Sequence, residues 1–183
     1  MSYLQGFPGM LGSIDCTHWE WKNCPVSLAG QHKGKDKKPT VVLEAIVDWS
    51  LWFWHFNFGS PGSLNDINII SASPLFANLF NNKAPNVEYM INRHIYKSGY
   101  YFADGIYPKL SVFVKTMQSP TTKAEKYYCK QQEGEQKDVE RAIGVIKARW
   151  RIIDLPCKLW YKDAMISVMK ACVVLHNMIV DDE

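Results

Sequence analysis

Three acidic residues of this 183-residue chain have the type and the placement needed to do chemistry together. Asp15 lies on the first predicted strand, Asp104 ends the apolar run YYFAD, and Glu140 lies on a later predicted helix. Carboxylates can hold divalent cations such as Mg²⁺ or Mn²⁺, which activate the attacking oxygen at a phosphodiester and stabilise the leaving one. The three residue types therefore predict a metal site if the fold brings them together.

Each of these acids also has an ordinary structural interpretation. Asp104 stands at a strand end before a glycine, where aspartate often forms a turn. Glu140 lies beside the apolar stripe of its helix, with Lys147 and Arg151 on nearly the same line, and such a face is often only solvated. Asp66 follows Ser63 by three residues, which is the spacing of a capping box at a helix start.

Apolar periodicity indicates the elements that must position the acids. Alternation and valine-rich runs predict three successive strands at residues 11–21, 39–48 and 51–58. In the first, Asp15 shares a face with Trp19, and in the third, residues 52, 54, 56 and 58 share a face. A helix is predicted to follow, capped by Ser63 with Asp66 as its partner.

The rest of the chain predicts two more strands and two helices. Residues 87–105 indicate two short strands about an Asn92-Arg93 turn, the second ending at Asp104. Residues 136–153 and 163–180 have the apolar stripe of helices that pack on a core. Three antiparallel strands, a helix, a further strand and more helices form a mixed α/β layered domain, and no linker or repeat divides residues 1–183.

Composition excludes several classes of protein. The hydrophobic fraction of 47% allows a sizeable core, and five scattered cysteines without a CxxC pair do not predict a disulfide framework. A zinc site at Cys16, His18 and Cys24 lacks a second ligand pair at finger-like spacing. We see no run of about 18 apolar residues and no signal peptide, so we expect an intracellular protein without a membrane span.

Positive charge is concentrated although the formal net charge is only +3. The segment 22–38 is predicted to be an exposed loop that could contact phosphates or simply be solvated, as could two cations on the Glu140 helix. These candidate DNA-binding residues are Lys22, Lys33, Lys35, Lys37, Lys38, Lys147 and Arg151. Among the other residues, His176 is predicted to be a core histidine with its hydrogen bonds made, and Trp19, Trp21, Trp52 and Trp54 core or sheet-surface residues.

Six segments in order closely resemble the transposases of PIF/Harbinger DNA elements and their domesticated nuclease-like relatives. They are IDCTHWEWKNCP, GQHKGKDKKPTVVLEAIVD, GSPGSLNDINI, YYFADGIYPKL, KDVERAIGVIKARW and MKACVVLHNMI. The resemblance implies a ribonuclease H-like fold and a DDE triad at Asp15, Asp104 and Glu140, with 35 residues between the last two. It also matches Asp66 to a further family acid, which leaves metal ligand and helix cap as equal alternatives.

The resemblance further implies an activity, partners and a location. The activity would be metal-dependent cleavage of DNA at element ends, followed by transfer of the freed 3′ hydroxyl to a target strand. The partners would be DNA and a separate Myb-like accessory protein, and the location would be the nucleus. The resemblance is also compatible with an oligomer. The relatives carry a DNA-binding region upstream of the core, and we expect this chain to be truncated at its N-terminus and to lack that region. A truncated transposase and a domesticated or decayed, inactive DNA-binding or interaction protein both fit that departure.

Overall fold

The computed structural model of the chain describes residues 6–34, 36–75, 77, 86–105, 107 and 110–183. The strands are β1 Met10–Glu20, β2 Thr40–Val47, β3 Phe53–Pro61, β4 Asn86–Ile91, β5 His94–Ser98, β6 Tyr100–Phe102 and β7 Phe113–Val114. The helices are α1 Val26–Ala29, α2 Asp66–Ser71, α3 Lys123–Arg149, α4 Arg151–Asp154 and α5 Lys162–Asp182. The predicted mixed α/β class is confirmed.

The main sheet has the strand order β3-β2-β1-β6-β7. The first three strands of the chain pair antiparallel, and β6 and β7 add to the other side of β1 in parallel. Parallel pairing needs a long connection between strands, and the chain between β3 and β6 contains α2 and the β4–β5 hairpin. The prediction of three antiparallel strands, a helix and a further strand is confirmed.

Alternating side chains of the sheet enter two cores. The larger core contains Trp19 of β1 and Leu43 of β2, on the face covered by α3 and α5. The smaller core, on the opposite face, contains Ile14 and Ile46 together with Ile70 of α2. Because both faces of β2 are covered, all eight of its residues are buried, as its near-continuous apolar sequence predicted.

The predicted alternation of β3 is wrong at its start. Phe53 and Phe58 both enter the larger core, and Trp54 between them is 66% exposed. The register against β2 shifts between the pairs Val47–Phe53 and Ile46–His55, and an extra residue in a strand reverses which face the next side chains take. This bulge, which no turn signal in the sequence indicated, therefore places Phe53 and Trp54 on the faces opposite to those predicted.

The predicted strand ending at Asp104 is in fact two strands. Its first part, β5, pairs with β4 around the Asn92-Arg93 turn, as expected. The second part, β6, joins the main sheet beside β1, and Gly99 separates the two. A Cβ added to Gly99 would lie 2.6 Å from the Leu11 side chain, so the small residue lets the chain pass close to β1.

The start of α2 also differs from the prediction. The N-cap is Asn65, whose side chain accepts a hydrogen bond from the Asn68 amide at 2.8 Å. Ser63 lies before the helix and donates instead to the carbonyl oxygen of Gln31 at 2.6 Å. Asp66 is therefore the first helical residue and not the third, and the predicted capping box is wrong.

Helix α3 begins thirteen residues before the predicted start at residue 136. Thr122 and Glu125 form a reciprocal capping box there, which satisfies two backbone amides at the helix start. The helix ends at Trp150, whose φ of −121° and ψ of 88° are not helical, and α4 begins at the next residue. Lys147 and Arg151 therefore do not share one continuous helical line, contrary to the prediction.

Helix α5 is long and apolar enough, by length and mean hydropathy alone, to cross a membrane. The sequence analysis did not single out this segment, because Ser167, Lys170, His176 and Asn177 interrupt its apolar residues. The side chains of Met165, Met169, Cys172 and Val173 are nevertheless buried in the larger core against the sheet. Helix α5 contacts β3 and α3, which is the packing of an amphipathic core helix.

Candidate functional site

Asp15 and Asp104 occupy equivalent positions, each two residues after a residue pair that joins adjacent parallel strands. Ser13 of β1 is the register partner of Phe102 of β6, and each acid comes two residues after its member of that pair. Strand alternation places both acids on the face covered by α3, since Ser13 donates to the Glu135 carbonyl of α3 at 2.8 Å. Adjacent strands lie about 4.8 Å apart, so the two acids come from neighbouring backbone positions.

The loop that follows Asp104 is held by several hydrogen bonds. The Gly105 amide donates to the Asp104 carboxylate at 2.5 Å, and the Tyr107 amide donates to the Asp104 carbonyl at 3.2 Å. Lys115, just after β7, donates to the carbonyl oxygens of both Gly105, at 2.9 Å, and Tyr107. Asp104 is thus a turn former, as one interpretation expected, and its exposed side chain remains open to a ligand.

Glu140 is exposed on α3. Asp138 and Arg141 lie about one helical turn apart on another side of α3. Arg141 donates a hydrogen bond to the Trp49 carbonyl oxygen at 3.4 Å. At about 100° per residue, Glu140 is roughly 200° around the helix from Asp138. Glu140 therefore lies on the flank of α3 that faces away from Asp138 and from the turn at Trp49, which follows β2.

Two acids of α3 that the sequence analysis missed lie nearer the sheet. Burial and the neighbouring Asp138 raise the pKa of Glu135, and burial raises the pKa of Asp138 although Arg141, 3.0 Å away, lowers it. Asp48 at the end of β2 further raises the pKa of Asp138. Residues 135, 138, 139 and 142 have the spacing of one helix face, which is the signal that could have found them.

The three predicted acids do not form a compact group. Within the described ranges, no three His, Cys, Asp or Glu side chains lie close enough together to hold a metal ion, and this includes the set Cys16, His18 and Cys24. The side chain of Asp66 lies outside the described part of the structure. Asp15 and Asp104 therefore come from neighbouring strands, and Glu140 lies on the helix that covers the same face of the sheet.

The predicted basic loop is more structured than expected. It contains the short helix α1, and His32 is buried with its Nδ1 3.1 Å from the Thr40 carbonyl and its ring edge-on to Trp21. Four of its lysines are exposed, and Lys35 lies outside the described residues; the four are Lys22, Lys33, Lys37 and Lys38. Lys38 is paired with Glu20 at 3.0 Å, so the last residue of the segment lies next to the end of β1.

Another buried acid lies on the opposite face of the sheet. Glu44 of β2 is fully buried, with its carboxylate 3.6 Å from His55 Nε2 and 3.4 Å from Asn57 Nδ2. It stands in the almost continuously apolar run that predicted β2, so periodicity alone did not single it out. Since Asp15 faces α3, Glu44 belongs to a different polar group.

The histidine and tryptophan predictions can be judged from contacts. His176 is fully buried, with Nε2 2.9 Å from the Leu51 carbonyl and Nδ1 3.2 Å from Arg149, which confirms a core histidine with both nitrogens bonded. Burial lowers the pKa of His176, so the ring is neutral. The tryptophan prediction is confirmed for three of the four, since Trp19 and Trp21 are buried in the core and Trp54 lies exposed on β3.

Comparison with known protein families identifies the family to which these sequence motifs belong. The family described as plant transposon protein matches residues 1–183. The chain belongs to this family. The resemblance to Harbinger-type transposases is therefore confirmed, and the three motif acids come from β1, the loop after β6 and α3.

A curated relative of this plant transposon protein family is described as Protein ALP1-like, from Arabidopsis thaliana. It is 27% identical over 184 residues, which covers 98% of this chain and 45% of the relative. The chain thus spans less than half of the relative's length. No solved structure matches the chain.

Proposed function

We propose that this chain carries the DDE-type catalytic core of a divalent-metal-dependent DNA endonuclease derived from a transposase. The observation that carries the proposal is the placement of Asp15 and Asp104 two residues after the paired Ser13 and Phe102 on adjacent parallel strands. A rigid sheet holds two carboxylates at a fixed separation, as a metal site requires. The strand order, three antiparallel strands with parallel strands added beside the first, supports a ribonuclease H-like fold.

The donor set suits magnesium or manganese. Both acids offer carboxylate oxygens, and Mg²⁺ typically binds to one or two carboxylates, several waters and the phosphates of its substrate. Asp15 and Asp104 would hold the ion, and Glu140 of α3 and Asp66 would be the further acids of the site. When bound, such ions activate the attacking water and stabilise the leaving 3′ oxygen at a phosphodiester.

The chain's own residues would position the DNA and the acids. Lys115 fixes the loop that presents Asp104 through the carbonyl oxygens of Gly105 and Tyr107. The lysines of segment 22–38, with Lys147 and Arg151, would contact phosphates without reading sequence. The Glu140 side chain lies at the exposed surface of α3, where a divalent cation could reach it.

The family also supplies the biological setting of the proposal. DNA at element ends would be the substrate, the freed 3′ hydroxyl would attack a target strand, and the location would be the nucleus. A Myb-like accessory protein would contribute recognition of specific sequences. These parts rest on the family membership, since the chain covers 45% of its ALP1-like relative.

Cleavage of supercoiled plasmid by the purified chain tests the activity. We expect nicking that needs Mg²⁺ or Mn²⁺, and we expect it to fall at least a hundredfold in Asp15→Asn and in Asp104→Asn, because the amide keeps the shape and removes the charge that binds metal. Glu140→Gln should lose activity, whereas Glu133→Gln, an equally exposed acid of the same helix, should keep it. An Asp104→Asn protein that cleaves as fast as its parent would falsify the assignment.

A second candidate function is a domesticated, catalytically inactive DNA-binding or interaction protein. It is favoured by the spread of the acids, since no three carboxylates in the described ranges are close enough to share an ion. In that case the chain binds DNA with the same salt dependence but cleaves none in Mg²⁺ or Mn²⁺. Calorimetric titration with Mn²⁺ separates the two candidates, because only the nuclease loses metal binding on Asp15→Asn.

A further inference from the structure

An aromatic cavity lies between the β4–β5 hairpin and the body of the fold. Its volume is about 730 Å³, within the range of roughly 300–1,000 Å³ that is usual for ligand sites. Among its lining residues, all of them described, none has a charged side chain. Five aromatic rings take part in the lining: Phe7, Tyr89, Tyr96, Tyr100 and Tyr128.

Two of the rings stack on each other, and one of them is partly exposed. Tyr89 and Tyr96 stack with centroids 5.3 Å apart and planes 14° from parallel, and Tyr96 is 42% exposed. Tyr100 meets Tyr89 edge-on at 6.1 Å. Burial raises the pKa of Tyr89 and of Tyr100, so their hydroxyls stay protonated and can donate hydrogen bonds. Ser98 and Ser111 add further hydroxyl groups to the wall.

Positive charge is concentrated on the hairpin that forms one wall of this apolar site. All five residues of β5 are exposed, and the hairpin carries Arg93, His94 and Lys97 against the single acid Glu88. The ring of His94 contacts that of Tyr96 at 4.7 Å. Flat apolar rings next to exposed cations are the combination by which proteins bind unpaired nucleotides, stacking the base and attracting the phosphate.

The cavity lies on the same side of the sheet as the proposed cleavage site. Tyr100 and Phe102 share a face of β6, and Phe102 contacts Phe7, which in turn contacts Tyr128 of α3. Asp104 follows Tyr100 by four residues, a distance of about 13 Å along a strand. At about 3.4 Å per nucleotide of a stacked strand, roughly four nucleotides bridge the cavity and Asp104.

We propose that this cavity binds an unpaired base of single-stranded DNA next to the cleavage site. The proposal rests on the proposed function for its ligand, since a DNA-cleaving core brings a strand end past Asp104. Stacking is sequence-tolerant because every base has a flat π face, so the cavity would recognise an unpaired strand and not a particular sequence. A blunt duplex cannot supply such a base without unpairing it.

Binding of fluorescein-labelled DNA in EDTA tests this directly and independently of cleavage. The probes are a blunt duplex and the same duplex with 3′ tails of one, two, four and six nucleotides. We expect the four- and six-nucleotide tails to bind about tenfold more tightly than the blunt duplex, the effect of one stacked base. The one-nucleotide tail should bind like the blunt duplex, because it is too short to span the distance.

Variants identify the cavity as the cause. Tyr96→Leu should remove the tail preference, and Tyr96→Phe should keep it, since the ring face and not the hydroxyl carries the stacking. Ser111→Trp fills the cavity from an exposed turn of the chain and should remove the preference even if Tyr96→Leu disturbs the hairpin. The matched control is Tyr127→Leu, an exposed tyrosine of α3 that does not line the cavity.

The outcomes separate this proposal from the proposed function. Tail preference without any cleavage in Mg²⁺ keeps the cavity as a nucleotide site and removes the nuclease. Cleavage with equal affinity for tailed and blunt DNA keeps the nuclease and overturns the cavity assignment. The assignment is also overturned if Tyr127→Leu lowers the tail preference as much as Tyr96→Leu, or if a proline-rich peptide binds the cavity and tailed DNA does not.

Discussion

The ammonium group of Lys115 lies 2.9 Å from the carbonyl oxygen of Gly105, the residue that follows Asp104. The same group donates to the Tyr107 carbonyl, so one cation holds both ends of the short turn that presents Asp104. Charged donors form stronger hydrogen bonds than neutral ones. The position of the Asp104 carboxylate thus depends on a side chain eleven residues away in the sequence.

Loss of the Lys115 ammonium should weaken metal binding without unfolding the chain. In Lys115→Met we expect the Mn²⁺ concentration for half-maximal cleavage to rise about tenfold, the usual effect of removing a group that orients a ligand. Titration of cleavage rate against Mn²⁺ measures it. Lys130→Met, an exposed lysine of α3, should leave the value unchanged. Equal values for both variants would show that the turn holds Asp104 by itself.

The exposed lysines of segment 22–38 should set the salt dependence of DNA binding. Each phosphate contact contributes about 0.9 to the slope of log affinity against log salt on duplex DNA. Replacing Lys22, Lys33 and Lys37 together by glutamine should therefore reduce the slope by up to about 2.7. Lys170→Gln, an exposed lysine on α5, is the control. An unchanged slope in a folded triple variant would mean that the segment is only solvated surface.

Stability should depend on pH through Glu135. Burial and Asp138 raise the pKa of this carboxyl in the folded state, so the folded chain holds its proton more tightly than the unfolded chain does. Its stabilising contribution is therefore present below the unfolded pKa and is lost as pH rises through the folded pKa. At pH 7 we expect Glu135→Gln to unfold at a higher temperature than the parent.

The sign of this effect can be checked by thermal unfolding from pH 4 to pH 8. The advantage of Glu135→Gln should shrink as the pH falls, since the parent carboxyl becomes protonated and neutral as well. Glu133→Gln, at an exposed position of the same helix, should show no such trend. A Glu135→Gln protein that is less stable than its parent at pH 7 would contradict a half-buried carboxylate with one oxygen that lacks a hydrogen-bond partner.

The turn of the β4–β5 hairpin offers a stabilising substitution. Asn92 has φ 51° and Arg93 has φ 65°, as a primed hairpin turn requires at both central residues. Asparagine tolerates this conformation, but for a long side chain it costs about 1–2 kcal/mol. Arg93→Gly should therefore slow hydrogen exchange of the hairpin amides roughly fivefold or more, with Asn92→Gly changing it less. Faster exchange in Arg93→Gly would mean that the arginine side chain stabilises the turn.

The local sequence was enough to predict several secondary-structure elements of this protein. Alternation and valine content located β1 and β2, the stripe of Val139, Ile143 and Ile146 located α3, and the Asn92-Arg93 pair located the hairpin turn. These features depend on residues near one another in the chain, where propensity and periodicity act directly. The family of the chain was also readable from the sequence alone, and the assignment of Asp15, Asp104 and Glu140 as its catalytic acids stays a prediction.

Only the tertiary structure decided how these parts meet. The pairing of β6 with β1 joins residues almost ninety positions apart, and it is this contact that places Asp104 beside Asp15. The bulge at Trp54, the separation of β5 from β6 at Gly99 and the burial of Glu135 likewise depend on neighbours that are distant in sequence. Periodicity reports which face of an element is apolar, but which strand lies against that element is decided by packing of the whole chain.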